Sequence, residues 1–221
     1  MTNLFRVFVF PVLVASPMVL ASLAPLRFFA DPRCVGAFVL MILGLAIENA
    51  IVSPESVRAS NDKSQSARDR KSFELSALTN VACFYLPAYD YMNLHAVVPR
   101  NTVTLVVGGA LMVTGEVMRI VALRTLGRFF TMRVAILDGH TVVRSGPYRF
   151  VRHPAYTGWF LLSLGFGIYF GSILGVAGTA LFVVVLGWRV TVEERALRDV
   201  LGEAYKAYMR DVPSRFLPGI F

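Results

Sequence analysis

Three short polar clusters interrupt an otherwise apolar chain of 221 residues. The first is Gly115-Glu116-Val117-Met118-Arg119. The second is Gly146-Pro147-Tyr148-Arg149-Phe150-Val151-Arg152-His153-Pro154-Ala155-Tyr156-Thr157-Gly158. The third is Arg189-Val190-Thr191-Val192-Glu193-Glu194. These residue types suit the gripping of a small charged ligand. A guanidinium such as Arg119 or Arg189 holds a carboxylate through a planar two-pronged contact. A carboxylate such as Glu193 binds an ammonium or sugar hydroxyls. The rings of Tyr148, His153 and Tyr156 offer part of the wall that a flat heterocycle needs.

Each cluster also has a plainer reading. Arg119 near a helix end can snorkel toward lipid head groups. His153, placed before Pro154, can be a turn residue whose ring only packs. Glu193 and Glu194 at a helix start can complement the helix dipole. Arg189 and Glu193, four residues apart, can form a surface ion pair worth a few tenths of a kcal/mol. Their occurrence together, in one order, favours a shared site.

The elements that would position these clusters are membrane helices. A span needs about 20 mostly apolar residues. Residues 4–25 and 35–53 meet that requirement. Residues 74–97 form a third candidate with more polar content, including Asn80, Tyr89, Asp90, Tyr91 and Asn93. Those polar groups either face a protein cavity or mark the interfacial end of the helix. Residues 102–125 form a fourth span that ends in Glu116 and Arg119. The apolar run 155–188 would be about 50 Å long as one helix. The hydrocarbon core is about 30 Å thick, so a hairpin with a break near 171–172 is expected. From Val190 onward a separate amphipathic helix is expected, closed by Pro213 and Pro218. The expected fold is all-α: a polytopic membrane protein of five or six spans, with a charged cytoplasmic segment over 126–152 and an amphipathic C-terminal helix. Residues 1–104 would form the lipid side and 105–221, which hold the three polar clusters, the other part of one integrated domain.

Composition agrees. Hydrophobic residues are 56% and charged residues 16% of the chain, and mean hydropathy is +0.60. Residues 35–53 and 172–188 carry almost no charge, whereas 54–72 and Arg189 to Arg215 are dense in it. The net charge of +8 lies between apolar spans, without the basic face and aromatic stacking of a nucleic-acid binder. Arg6, the 54–72 loop, the 126–152 segment and the C-terminal tail fall on one side, and Arg27, Arg33 and Arg100 on the other. The positive-inside rule then places both termini in the cytoplasm. Pro11 and Pro17 interrupt the first run, which argues for a retained helix rather than a signal peptide. Cys34 and Cys83 lack metal-type spacing and suit core packing, so no metal is expected.

The middle cluster reads Gly-x-Tyr-x-x-x-Arg-His-Pro-x-Tyr-x-Gly over residues 146–158. It resembles the isoprenylcysteine carboxyl methyltransferase family. The resemblance extends upstream through Gly115-Glu116-x-x-Arg119, Leu126 to Thr131, and His140-Thr141-Val142-Val143. Downstream it takes in Arg189-x-x-x-Glu193-Glu194, Leu197, Gly202-Glu203-x-Tyr205-x-x-Tyr208 and Arg215-Phe216-x-Pro218. It covers residues 105–221. It implies methyl transfer from S-adenosylmethionine to the carboxylate of a lipophilic acceptor such as isoprenylated cysteine, with membrane lipids as the other partner. By the same resemblance, Arg133, His140, Thr141, Val142, Val143, Tyr148, Arg152, His153, Pro154, Ala155, Tyr156, Glu193 and Glu194 would enclose the cofactor. Arg119, Arg189 and Glu116 would serve transfer and the acceptor. Two other acceptors, an amine or a thiol, stay open. Membrane sterol reductases carry a similar Arg-His-Pro segment but use NADPH, which leaves a second enzyme class to separate.

Overall fold

The computed structural model describes residues 19, 23–56, 70–94, 98–132 and 137–219. Six α-helices are named here: α1 (Pro25–Ala30), α2 (Pro32–Ile51), α3 (Arg70–Asn93), α4 (Thr102–Leu126), α5 (Pro154–Tyr169) and α6 (Ile173–Asp211). Single 3-10 turns follow at Gly127–Phe129 and Gly146–Arg149. The described residues form no strand ladder. Most of the expected first span, 4–25, and most of the 54–72 loop lie outside the described residues.

Local chemistry sets the helix starts. Pro32 sits in the first turn of α2, where its missing N–H costs nothing. The Asp31 carboxylate accepts from the Arg33 and Cys34 amides at 2.8 and 3.4 Å. Asn101 and Thr104 form a reciprocal capping box at the start of α4. The Ser172 hydroxyl accepts from the Gly175 amide at 2.9 Å and opens α6.

The apolar run 155–188 is the expected hairpin. Its turn falls at Gly171, whose φ of 59° is a left-handed conformation that favours glycine. The C-terminal part differs from the expectation. No new helix begins near 190. Helix α6 runs on for 39 residues, and its interruption falls at Gly202 with φ 55°. Glu193 and Glu194 therefore lie inside a helix and cannot be complementing the dipole at its start. The reason is continuity of helical pattern: an apolar stripe can turn amphipathic without breaking the backbone, and only the glycine releases it.

Helices α2, α4 (with the turn after it) and α6 are long and apolar enough to cross a membrane. Helix α5, at 16 residues, is about 24 Å long. It lies tightly against α4. A Cβ on Gly115 would stand 2.6 Å from the Gly158 carbonyl oxygen, and one on Gly158 would stand 2.6 Å from Arg119 Cγ. The two backbones approach this closely because both glycines lack side chains. That contact fixes Arg119 against the start of α5.

Buried Phe28, Cys34, Cys83, Phe84, Met112, Phe166 and Phe170 fill the centre of the bundle. Both cysteines are free and buried, as packing predicts. At one end, Arg100 donates to the Tyr91 and Asp90 carbonyls at 2.9 and 3.0 Å. The Asp90 carboxylate accepts from the Ser172 hydroxyl at 2.6 Å, and the Tyr91 hydroxyl donates to Asp31 at 2.8 Å. Arg33 donates to the Tyr169 and Asn101 carbonyls at 3.2 and 2.8 Å. The polar residues from Tyr89 to Asn93 thus close a helix end rather than line a cavity. Helix direction then puts the functional clusters at the opposite end of the bundle.

Candidate functional site

At that opposite end, parts of α2 to α6 and the connection between α4 and α5 line a cavity of about 470 Å³. Pockets for small organic ligands span about 300–1,000 Å³. Arg119, His140, Thr141, Val142, Val143, Tyr148, Arg152, His153, Ala155, Tyr156, Arg189 and Glu193 all line it. The plainer readings of Arg119 and Arg189 as surface groups fail, because each is 5% exposed.

Arg119 makes the most committed set of contacts. Its Nε and Nη2 donate to the two carboxylate oxygens of Glu48 on α2, the second at 2.8 Å. Its Nη1 donates to the Ala155 carbonyl at 3.2 Å. The guanidinium carbon stands 4.2 Å from the centre of the Trp159 ring, a cation–π stacking that favours charge in an apolar setting.

Arg189 lines the same cavity. Its Nε donates to the Tyr156 hydroxyl at 3.0 Å and its Nη2 to the Met132 carbonyl at 2.7 Å. The Tyr156 hydroxyl in turn donates to Glu193 Oε2 at 2.8 Å. Arg189 and Glu193 are thus linked through Tyr156. The other Glu193 oxygen is the one left to face a cationic ligand.

The neighbouring Glu194 points elsewhere. It is 1% exposed and does not line the cavity. Its carboxylate accepts from Arg152 Nε at 2.8 Å, His153 Nε2 at 3.2 Å and Arg215 Nη2 at 2.9 Å. Arg152 adds contacts to the Val212 and Pro213 carbonyls at 2.7 and 2.6 Å. The backbone amides of Arg152 and His153 donate to Ser214 and Arg215. The Arg-His-Pro turn is therefore locked to α6 and to the tail, with His153 stacked on Tyr156 at 5.7 Å. Adjacent positions on a helix diverge by about 100°, so Glu193 and Glu194 cannot share one role.

Glu116 also lies apart. It lines a second cavity of about 70 Å³, which Arg119 and Glu48 border as well. Its carboxyl fills the space beside Gly44, where a Cβ would come within 2.6 Å. Pro154 opens α5 without lining the main cavity. Arg133 lies outside the described residues.

His140 stacks on Phe129 with ring centres 4.6 Å apart, and its Nδ1 is buried without a partner among the described residues. Burial holds its imidazole below the ordinary value of 6.5, with Arg128 adding to the shift and Glu193 opposing it. A folded-state value below the unfolded one means that protonation favours the unfolded chain. The stability carried by neutral His140 is complete above about 6.5 and drains as pH falls below it. The melting temperature of His140→Gln should therefore drop less than that of the wild type between about pH 7 and about pH 5. Equal drops would show that His140 does not carry this dependence.

Sequence reasoning passed over Glu48, Phe73 and Trp159 and took Phe129 only as part of the Leu126 to Thr131 motif, and all four line the cavity. For Glu48 a signal existed, since a carboxylate inside an apolar span is seldom idle.

Residues 107–199 match the isoprenylcysteine carboxyl methyltransferase family. The likeness to this family lies in that segment, which is less than half of the chain. The protein-S-isoprenylcysteine O-methyltransferase of Xenopus laevis is 32% identical over 157 residues, covering 67% of this chain and 52% of the relative. That of Dictyostelium discoideum is 34% identical over 124 residues, covering 52% and 49%. The chain thus spans about half the length of these curated relatives. The solved structure of a eukaryotic intramembrane Ras methyltransferase of the family superposes with a TM-score of 0.53. It covers 97% of this chain and 84% of the solved one at 22% identity, a likeness of fold. Fold and apolar helices together make this an integral membrane protein.

Proposed function

We propose that this membrane protein transfers a methyl group from S-adenosylmethionine to the carboxylate of a lipophilic acceptor such as isoprenylated cysteine. One observation carries the reading. Arg119, Tyr148, His153, Glu193 and Arg189 come from three separate sequence clusters and line a single cavity. Apolar positions on α2, α3 and α6 (Leu45, Ala77 and Phe182 among them) complete its wall.

The residues present fit the cofactor. Glu193 has a carboxylate oxygen for its ammonium or ribose hydroxyls. The stacked pair Phe129 and His140, with the unpartnered Nδ1, suits the adenine. Val142, Val143, Tyr148 and Ala155 provide apolar wall. When bound, S-adenosylmethionine supplies an electrophilic methyl carbon. The acceptor carboxylate is already anionic, so the protein needs no general base. Its work is to orient and to exclude water, and positioning of that kind supplies up to about 7–11 kcal/mol of a barrier. Arg119 orients the acceptor carboxylate, and Arg189, held by Tyr156 and Met132, sits on the acceptor side. A carboxylate acceptor is favoured over an amine or thiol because the similar relatives are named protein-S-isoprenylcysteine O-methyltransferases, and because Arg119 keeps donors beyond those it gives to Glu48 and Ala155. The cofactor end faces the cytoplasm, the side the positive residues mark. The lipid part of the acceptor enters between helices.

Titration of the purified chain with S-adenosylmethionine tests the reading directly. Binding is expected, followed by transfer of labelled methyl to an isoprenylcysteine and release of methanol on base treatment. No binding at millimolar cofactor sinks the proposal. Base-stable product would leave transfer standing and remove the ester. Glu193→Ala should weaken cofactor binding about tenfold or more, because it removes a charged hydrogen-bond partner.

A further inference from the structure

We infer that Glu48 is a positioning residue: by taking Arg119 side-on, it leaves the two terminal N–H groups of that guanidinium for the carboxylate of the acceptor. The inference rests on the proposed methyl transfer for the identity of the acceptor. An arginine carries five N–H donors in a fixed plane. The Nε donor and one Nη2 donor go to Glu48, and one Nη1 donor goes to the Ala155 carbonyl. One N–H therefore stays on Nη1 and one on Nη2, with no partner among the described residues. Nη1 and Nη2 make up the terminal edge, the second edge through which a guanidinium binds a carboxylate in two-pronged fashion.

The surroundings hold that edge in place. The Trp159 ring fixes the plane at 4.2 Å. The Gly115 and Gly158 contact leaves the Arg119 stem no room to swing toward α5. Side-chain exposure is 6% for Arg119 and 13% for Glu48, so water does not compete well for either. Both residues border the large cavity and the small one, and the pair stands where the two spaces meet. An unpaired guanidinium at this depth would cost several kcal/mol. Pairing with Glu48 removes most of that cost while leaving donors to spare, which an apolar neighbour could not do. Glu48 lies on α2, outside every cluster that carries the family likeness.

A second geometry is conceivable and measurable: Glu48 as a stand-in that the acceptor displaces. The two differ in sign. A positioning Glu48 makes the acid bind better, whereas a displaced Glu48 makes it bind worse.

The test is equilibrium binding of N-acetyl-S-farnesylcysteine and of its carboxamide to the full chain in detergent, saturated with S-adenosylhomocysteine. The wild type should prefer the acid by about tenfold or more, the size of one good charged contact. Glu48→Gln should lose most of that preference, because its single amide oxygen can accept from only one of the two guanidinium donors while its NH2 meets the other. Glu48→Asp, which keeps the charge on a shorter stem, should recover part of it. S-adenosylhomocysteine affinity should stay within about twofold in both, since that ligand does not need the fork. An unchanged preference in Glu48→Gln overturns the inference, as does tighter binding of the acid, which would mark displacement. A wild type that does not discriminate acid from amide overturns it as well. Should the wild type bind the acid selectively and lose selectivity in Glu48→Gln, yet transfer no methyl group, the proposed function fails while this role stands. If Glu48→Gln does not fold, the Glu48→Asp preference decides.

Discussion

Arg119→Lys should lower methyl transfer by about two orders of magnitude or more while cofactor affinity stays within about twofold. The size follows from the loss of a donor fork aimed at reacting charge, which costs about 10²–10³ in turnover. Lysine keeps a positive charge beside Glu48 but presents a point ammonium, not a planar fork. It can satisfy Glu48 or reach the acceptor, but not hold both in fixed geometry. Arg119→Ala is the less informative change. It leaves the Glu48 carboxylate buried alone, and breaking a buried pair this way costs about 3–5 kcal/mol of stability. Loss of activity would then mix chemistry with unfolding. Replacing both partners with leucine separates the two effects, because swapping a whole buried ion pair for apolar side chains is often neutral or stabilising. The double variant should melt near the wild type, bind cofactor and transfer nothing. Turnover for Arg119→Lys within about threefold of the wild type would remove Arg119 from the reaction.

The clusters and the spans were legible in the chain, but their connections were only partly so. A stretch of about 20 apolar residues has few solutions in a bilayer, which is why α2, α4 and the hairpin fall where hydropathy puts them. The break at Gly171 follows from length against bilayer thickness. The missed break at Gly202 does not, because beyond the hydrocarbon no thickness limits a helix. The site shows the same division. Arg119, His153, Arg189 and Glu193 each stand in a dense local motif. Glu48 is a single carboxylate in α2, and its partner lies 71 residues away. Only packing of α2 on α4 brings the two together. Glu193 and Glu194 show the opposite limit. They look equivalent in sequence, yet one turns to the cavity and the other to the Arg-His-Pro turn.

A stability effect as large as that of Arg119→Ala should come from that second glutamate. Glu194→Ala is expected to cost about 3–5 kcal/mol, the loss seen when a buried charge cluster is left with unpaired members. Three cations converge on the Glu194 carboxylate: Arg152, Arg215 and, when protonated, His153. Arg152 and Glu194 have side chains 5% and 2% exposed, so water cannot replace the missing partner. For a chain of about this size each kcal/mol moves the melting temperature by about 2–4 °C, which makes the expected drop about 6–20 °C. The consequence reaches the cavity. Arg152 carries the turn that presents His153, Ala155 and Tyr156, and it is tied to the tail through Val212 and Pro213. Releasing it loosens the wall on which the cofactor would rest. Glu194→Gln distinguishes a hub from a ligand: it keeps the shape, removes the charge and should fall between the alanine variant and the wild type. Affinity for S-adenosylmethionine should follow stability across this series. A Glu194→Gln protein that melts like the wild type but no longer binds cofactor would contradict the hub and return Glu194 to the ligand.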